Sequence, residues 1–307
     1  MSHKQTVRPQ RRALQMEQTY KSITKSYQEQ IEKYLDETCF RDETMPQKKL
    51  FSAMRYSLLA GGKRLRPLFV LEFCRLCGGD YDKALPFAAA VEMVHTYSLI
   101  HDDLPCMDND DFRRGNPTNH KVYGEAIAVL AGDALLTAAF NYISQADLSS
   151  DARIKAVQVL SECAGELGMV GGQVLDIESE NRQCTVQEVL DIQSRKTGAL
   201  IRSACVLGVV AANGSAEQIH AAGVFADHLG LAFQIRDDML DVIGNAKELG
   251  KSVGTDSVKN TFVQLYGIEK CDKLVVDHTK QAISALDVFT DNGYMKWLSN
   301  SLTNRYV

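Results

Sequence analysis

Apolar positions recur every three to four residues along most of this chain, the period of an α-helix with one buried face. Taken segment by segment, the pattern predicts helices over residues 16–35, 50–59, 68–78, 82–103, 125–146, 151–170, 186–212, 216–243 and 262–307. Over 216–243 the apolar face is carried by Ile219, Ala222, Phe225, Leu229 and Ala232. The 82–103 segment is alanine-rich and apolar on most sides, which predicts a helix buried all round. Gly61-Gly62 and Gly78-Gly79 supply helix stops, and Gly171-Gly172 interrupts the pattern again. Residues 105–120, with Pro105 and Pro117, read as a polar loop. No Val/Ile/Thr alternation of strand type recurs, so the chain reads as all-α. The expectation is one all-α domain over 17–307. Before it lies a basic, acid-free extension over 1–16 (Lys4, Arg8, Arg11, Arg12), read as a disordered arm or an upstream start before Met16, with a targeting peptide as the third reading.

Composition narrows the classes. With 307 residues and 45% hydrophobic positions the chain can bury a large core, and six prolines leave room for long helices. A net charge of −5 argues against general nucleic-acid binding. The eight cysteines form no framework: Cys74 and Cys77 make a CxxC without the second pair that zinc spacing requires. They read as small core thiols in a reducing compartment, and the expectation is a cytoplasmic protein. No stretch reaches the roughly 18 consecutive apolar residues of a membrane span, so membrane insertion is not expected.

Two acidic clusters change the picture. Asp102, Asp103 and Asp108 follow the apolar 82–103 helix and precede Arg113-Arg114-Gly115. Asp237, Asp238 and Asp241 lie in the 216–243 helix, with Asp237 and Asp241 four apart and so on one face. Like charges at that spacing repel unless a cation lies between them. Pro105 resists helix continuation, so the first cluster should span a helix end and a loop. Alone, each cluster reads equally as a solvated helix end. Together, beside arginines, they point to Mg²⁺, which takes one or two carboxylates and leaves its other positions to water and phosphate oxygens. Lys63-Arg64-Leu65-Arg66 beside Gly61-Gly62 is either a solvated turn or an anion cradle, and the acidic clusters favour the cradle. His95 lies seven residues before Asp102 on nearly the same face, and Lys196 sits in an apolar periodic run where an unpaired lysine is rare. Gln173 and Asp176 follow the Gly171-Gly172 break and read either as site residues or as a kink and a surface acid.

The segments Gly61–Pro67, His95–His120, Gly168–Asp176, Arg195–Ile201, Phe233–Val242 and Leu249–Asp256 resemble, in order, the motifs of the trans-type short-chain prenyl diphosphate synthases, and most closely the bacterial-type farnesyl diphosphate synthases. The likeness covers roughly residues 20–305. It implies an isoprenoid-synthase fold, helices around a central cavity, acting as a homodimer. It also implies Mg²⁺-dependent head-to-tail condensation of isopentenyl diphosphate with dimethylallyl or geranyl diphosphate. In this likeness Asp102, Asp103, Asp108, Asp237, Asp238 and Asp241 hold three Mg²⁺ around the allylic diphosphate. Arg113, Lys196, Thr197, Gln234, Lys251 and Lys259 complete that site, Lys259 in a Lys-Asn-Thr-Phe segment that departs from the family's KxTY-like form. Lys63, Arg66, His95 and Arg114 bind isopentenyl diphosphate. Asp102, Asp103, Asp108, Lys196 and Asp237 are the residues expected to carry catalysis.

Product length is a matter of geometry. Tyr97 and Ser98 lie five and four residues before Asp102, about 6–8 Å along a helix axis. Ser98 aligns better with Asp102 on an ideal helix, but the resemblance makes Tyr97 the floor that stops growth at farnesyl diphosphate. Three rivals remain: a geranylgeranyl diphosphate synthase, a non-catalytic subunit of a heteromeric synthase, and a terpene cyclase needing one allylic substrate. Intact acidic motifs and the basic Gly61–Pro67 segment argue against the last two.

Overall fold

A computed structural model describes residues 3–40, 44–180, 182–249 and 260–304, with backbone alone at 3–13 and 244–249. Lys251 and Lys259 lie outside the described residues. Two compact units divide the chain: Met1–Leu71 with Asp80–Arg153, and Glu72–Gly79 with Ile154–Val307.

The first unit is built from α1 (His3–Thr38), α2 (Lys48–Leu58), the start of α3 (Leu65–Leu76), α4 (Leu85–Asp102), α5 (Asn119–Tyr123) and α6 (Glu125–Gln145). Its centre is α4, which packs against α1, α2 and α6. Pro86 sits in the first turn, where its missing N–H would have no partner in any case. Phe87, Ala88, Ala89, Ala90, Val91, Met93 and Val94 are all buried, so α4 is enclosed on every side over two turns, as its composition predicts. Close packing of α4 on α6 depends on Gly132: a Cβ there would overlap the His101 imidazole.

The second unit holds most of α7 (Ser150–Ala164), then α8 (Met169–Ser179), α9 (Val186–Gln193), α10 (Ala199–Ala211), α11 (Ala216–Leu249), α12 (Phe262–Tyr266), α13 (Ile268–Ala285) and α14 (Gly293–Thr303). Here α11 is the organising helix, packed on α10, α13 and α14. Ile235 and Met239 enter a core with Val189, Phe262, Cys271 and Val275.

Several features differ from the sequence reading. Gly171-Gly172, expected to interrupt a helix, lies inside α8, and the break after α7 falls at residues 165–168. The backbone is helical from His3, so the basic 1–16 segment, expected to be disordered, continues α1 there. A two-residue ladder pairs β1 (Phe112–Arg113) with β2 (Asn116–Pro117) inside the loop. The turn between them, Arg114-Gly115, has positive φ at both positions (52° and 79°), the geometry of a tight hairpin. Residues 186–212 are interrupted by a π-helical turn at Ser194–Gly198. Finally, α6 is long and apolar enough to cross a membrane by length and composition, with a third of its window buried. No uninterrupted apolar run of that length is present, because Asp133, Thr137 and Asn141 fall within the helix.

Candidate active site

In the first unit, α4 ends at Asp102 with Asp103 as its C-cap. The chain then folds back: the Asp108 amide donates to the Asp102 carbonyl at 2.8 Å, and the Asn109 amide to the Leu104 carbonyl at 3.1 Å. This loop returns Asp108 to Asp102 although six residues separate them. Asp102 is half-buried, and Asp108 is exposed. Asp103 points elsewhere. It is buried, and Arg113 Nε donates to its Oδ1 at 2.6 Å. Burial raises its pKa against the opposing pull of Arg113. Arg113 reaches Asp110 as well, at 3.4 Å, and Thr118 Oγ1 donates to the Asp110 carbonyl at 2.8 Å. The short hairpin is thereby tied back onto the acidic loop. A small cleft of about 30 Å³ lies there, with Thr96, Leu99, Asp103, Arg113, Arg114 and Asn119 on its walls.

A cluster of cations lies beside this loop. Arg114 donates to the Gly61 carbonyl, and Gly62, with φ of 126°, leaves room for it: a Cβ at Gly62 would stand 2.9 Å from the guanidinium carbon. Arg66, in the first turn of α3, has a buried Nε with no hydrogen-bond partner among the described residues. Burial lowers its pKa, opposed by Glu92 and reinforced by Arg114. His95 is held neutral: burial, then Arg66, Arg114, Arg64 and Arg113, push its pKa well below the usual imidazole value. Lys63 is exposed, with its carbonyl accepting from Gln28. Arg66, His95 and Arg114 therefore lie together, with Lys63 exposed nearby in sequence, and a buried donor without an acceptor among the described residues suits an anion.

Tyr97 is buried on α4, edge-on to His101 with ring centroids 5.7 Å apart. Burial and the nearby Asp102 charge push its phenol up to about 12. Ser98 is spent locally, its hydroxyl donating to the His95 carbonyl at 2.9 Å.

In the second unit the π-helical turn carries Lys196 and Thr197. Such turns shift side-chain register by one residue, which re-aims whatever they carry. Lys196 Nζ donates to Asp176 Oδ2 at 2.6 Å. The turn packs on α8 and α11 because both present glycine: Gly230 lies against Gly198, and a Cβ at Gly172 would overlap the Lys196 backbone. Gly172→Ala is expected to destabilise the protein by about 1–3 kcal/mol, as overpacking does. Thermal unfolding measures this, and an unchanged midpoint would contradict the close approach.

On α11, Asp237 is half-buried and Asp241 is exposed one turn on, as their spacing predicts. Asp238 is buried and committed: Oδ1 accepts from Gln234 at 3.2 Å and Oδ2 from the Phe262 amide at 2.9 Å. Burial raises its pKa, with Asp241 and Asp237 adding to that and both hydrogen bonds opposing it. Arg236, inside the same motif, turns away to the Thr303 carbonyl (2.6 Å) and Asp272 (3.0 Å) and fastens α11 to its neighbours.

The donor set of both motifs is all carboxylate oxygen, suited to a hard divalent cation. Among the described residues no three ligands converge into a ready cage. Mg²⁺ binds through one or two carboxylates and completes its shell with water and substrate phosphates.

Comparison with known proteins gives the class. Residues 47–292 match the family described as polyprenyl synthetase. The chain is 48% identical over 238 residues to the farnesyl diphosphate synthase of Bacillus subtilis, covering 76% of this chain and 80% of that protein. It is 48% identical over 246 residues to the chloroplastic geranylgeranyl pyrophosphate synthase of Catharanthus roseus, covering 78% and 69%. A solved FPP/GFPP synthase from Zymomonas mobilis superposes with a TM-score of 0.84 at 36% identity, over 92% of this chain and 99% of that one. This chain belongs to the polyprenyl synthetase family. It is a prenyltransferase enzyme with the all-α isoprenoid-synthase fold.

Proposed function

We propose that the chain is a farnesyl diphosphate synthase, condensing isopentenyl diphosphate head-to-tail with dimethylallyl and then geranyl diphosphate. The observation that carries this reading is the cation cluster around neutral His95, with the unpartnered Arg66 Nε beside the Asp102–Asp108 loop. A cyclase working on one allylic substrate has no use for a second anion site.

Lys63, Arg66, Arg114 and the His95 N–H bind and orient the diphosphate of isopentenyl diphosphate. Their fixed positions remove much of the entropic barrier to attack by its double bond. Arg113, Lys196, Thr197 and Gln234 hold the allylic diphosphate, with Lys251 and Lys259 as further candidates. Mg²⁺, held by Asp102 and Asp108 in the first motif and Asp237 and Asp241 in the second, would supply charge neutralisation for the departing diphosphate. Asp103 and Asp238 are bound to protein donors and serve to place Arg113 and the Phe262 segment. Cationic side chains stabilise negative charge as it builds on the leaving oxygens. Apolar walls keep water from the allylic cation. The released diphosphate accepts the proton, so no protein base is assigned.

The chain length of fifteen carbons rests on Tyr97, buried and within reach of the Asp102 charge. Geranylgeranyl diphosphate is the second reading, favoured by likeness to the Catharanthus roseus enzyme. Purified protein given Mg²⁺, isopentenyl diphosphate and geranyl diphosphate tests the reading; a fifteen-carbon product supports it, and a twenty-carbon product selects the second.

A homodimer in the cytoplasm is also proposed. All eight cysteines are free thiols. On α5 and α6 the apolar Val122, Val129 and Leu130 are exposed, Leu130 at 53%, and are the residues offered here for burial against a second copy. Leu130→Asp is expected to shift the protein to monomer in sedimentation equilibrium. A variant that sediments like the wild type would remove this face from the interface.

A further inference from the structure

Arg64 belongs to the Gly61–Pro67 segment, yet it faces inward. Its side chain is buried, and each nitrogen of its guanidinium donates once: Nε to Glu32 Oε1 at 2.7 Å, Nη1 to Glu92 Oε1 at 2.5 Å, and Nη2 to the Leu58 carbonyl at 2.7 Å. One guanidinium thus ties α1, α4 and the end of α2 together. Gln28, one turn before Glu32 on α1, donates to the Lys63 carbonyl at 2.9 Å and holds the neighbouring residue. Arg64 adopts a left-handed backbone, φ of 49°, which a non-glycine residue keeps only where its surroundings over-determine it. The three hydrogen bonds on its side chain provide that determination.

Glu92 is the buried member of the set and lies three residues before His95 on α4, on a neighbouring face. Its charge reaches beyond Arg64, favouring the charged forms of Arg66 and Arg114. We infer that Glu92, acting through Arg64, is a positioning residue that sets the cradle of Lys63, Arg66 and Arg114 for isopentenyl diphosphate. This rests on the cradle reading given under Proposed function. Glu92 does not touch the substrate, since a carboxylate repels a diphosphate and its Oε1 is occupied by Arg64. Removing its charge leaves a buried guanidinium without its main counter-charge, and such a group moves toward water. Arg64 leaving its place displaces Lys63 before it and Arg66 two residues after it, and with them the Gly61 carbonyl that receives Arg114.

Two roles for Glu92 give opposite signs. A carboxylate that merely subtracted positive charge from the cradle would, once neutralised, tighten diphosphate binding. A positioning carboxylate, once neutralised, weakens it. The test is steady-state kinetics of Glu92→Gln, Glu92→Asp and Glu32→Gln in the full-length protein, varying isopentenyl diphosphate and geranyl diphosphate separately. For Glu92→Gln the KM for isopentenyl diphosphate is expected to rise about tenfold or more, the scale of one lost charge-assisted hydrogen bond, while the KM for geranyl diphosphate stays within about twofold. Glu92→Asp, keeping the charge, should recover most of that loss. A fall in the first KM, or equal changes in both, overturns the assignment. Should Glu92→Gln fail to fold, Glu32→Gln decides, because Glu32 sits at the surface end of the same network: a rise of about threefold confined to isopentenyl diphosphate supports the role, and no change overturns it. Wild-type protein that does not turn over isopentenyl diphosphate would sink the functional reading itself. Wild-type turnover with an unselective Glu92→Gln variant sinks only the positioning role.

Discussion

Asp237→Ala is expected to lower turnover about a thousandfold, roughly 4 kcal/mol of transition-state stabilisation. The reasoning is local. Asp237 is half-buried on α11, facing the same way as exposed Asp241, and core packing on that helix is done by Ile235 and Met239 on the other side. Two like charges one turn apart repel, and removing one of them relieves that repulsion in the bare protein. With Mg²⁺ and diphosphate bound the comparison reverses. Ligand binding stabilises the wild type by mass action, and the variant should lose that increment. Asp238→Ala is the contrasting control. It strips the acceptor from the buried Phe262 amide and from Gln234, so it should cost about 1–3 kcal/mol of stability with no ligand present. Calorimetry with and without Mg²⁺ and diphosphate, beside turnover, separates the two. Near-normal turnover of Asp237→Ala would contradict the metal assignment.

The second large effect is on product length. Tyr97→Ala is expected to move the main product from fifteen carbons to twenty or more. Tyr97 stands about 7–8 Å along α4 from Asp102, and its ring is buried edge-on to His101. Deleting the ring frees the volume of a phenol at that depth. It also removes core packing, so the variant should lose about 3 kcal/mol of stability and is best assayed at low temperature. Ser98, whose hydroxyl is satisfied within its own helix, makes a useful comparison: Ser98→Ala should leave chain length unchanged. An unaltered product from Tyr97→Ala would remove that ring as the floor.

What the sequence reveals and what it hides follow from range. Helices were legible because burial of one face imposes a 3.6-residue period, so α4 and α6 begin and end close to their predicted limits, and α11 begins where predicted but runs on to Leu249 rather than 243. The spacing of Asp237 and Asp241 was legible for the same reason. The return of Asp108 to Asp102 was not, because it depends on a backbone hydrogen bond across a turn, and six residues on an ideal helix would have parted them. Arg64 in Lys-Arg-Leu-Arg looks like one more surface cation; its burial depends on Glu92, 28 residues away, and on Glu32, 32 residues away in the other direction. The π-helical turn at Ser194–Gly198 left no periodic signature, since one added residue per turn is too slight a shift to read in a run so apolar. Gly172 and Gly230 beside it were the available clue, as paired glycines on helices mark close backbone approach. Arg114-Gly115 escaped because arginine is an unusual first residue for a turn needing positive φ at both positions.

The most direct measurement is a product assay with radiolabelled isopentenyl diphosphate, with and without geranyl diphosphate, in Mg²⁺ and in excess chelator. The account predicts labelled farnesyl diphosphate only when both prenyl substrates and Mg²⁺ are present. Label that stays in isopentenyl diphosphate under the complete conditions, or a product formed from the allylic substrate alone, would contradict it.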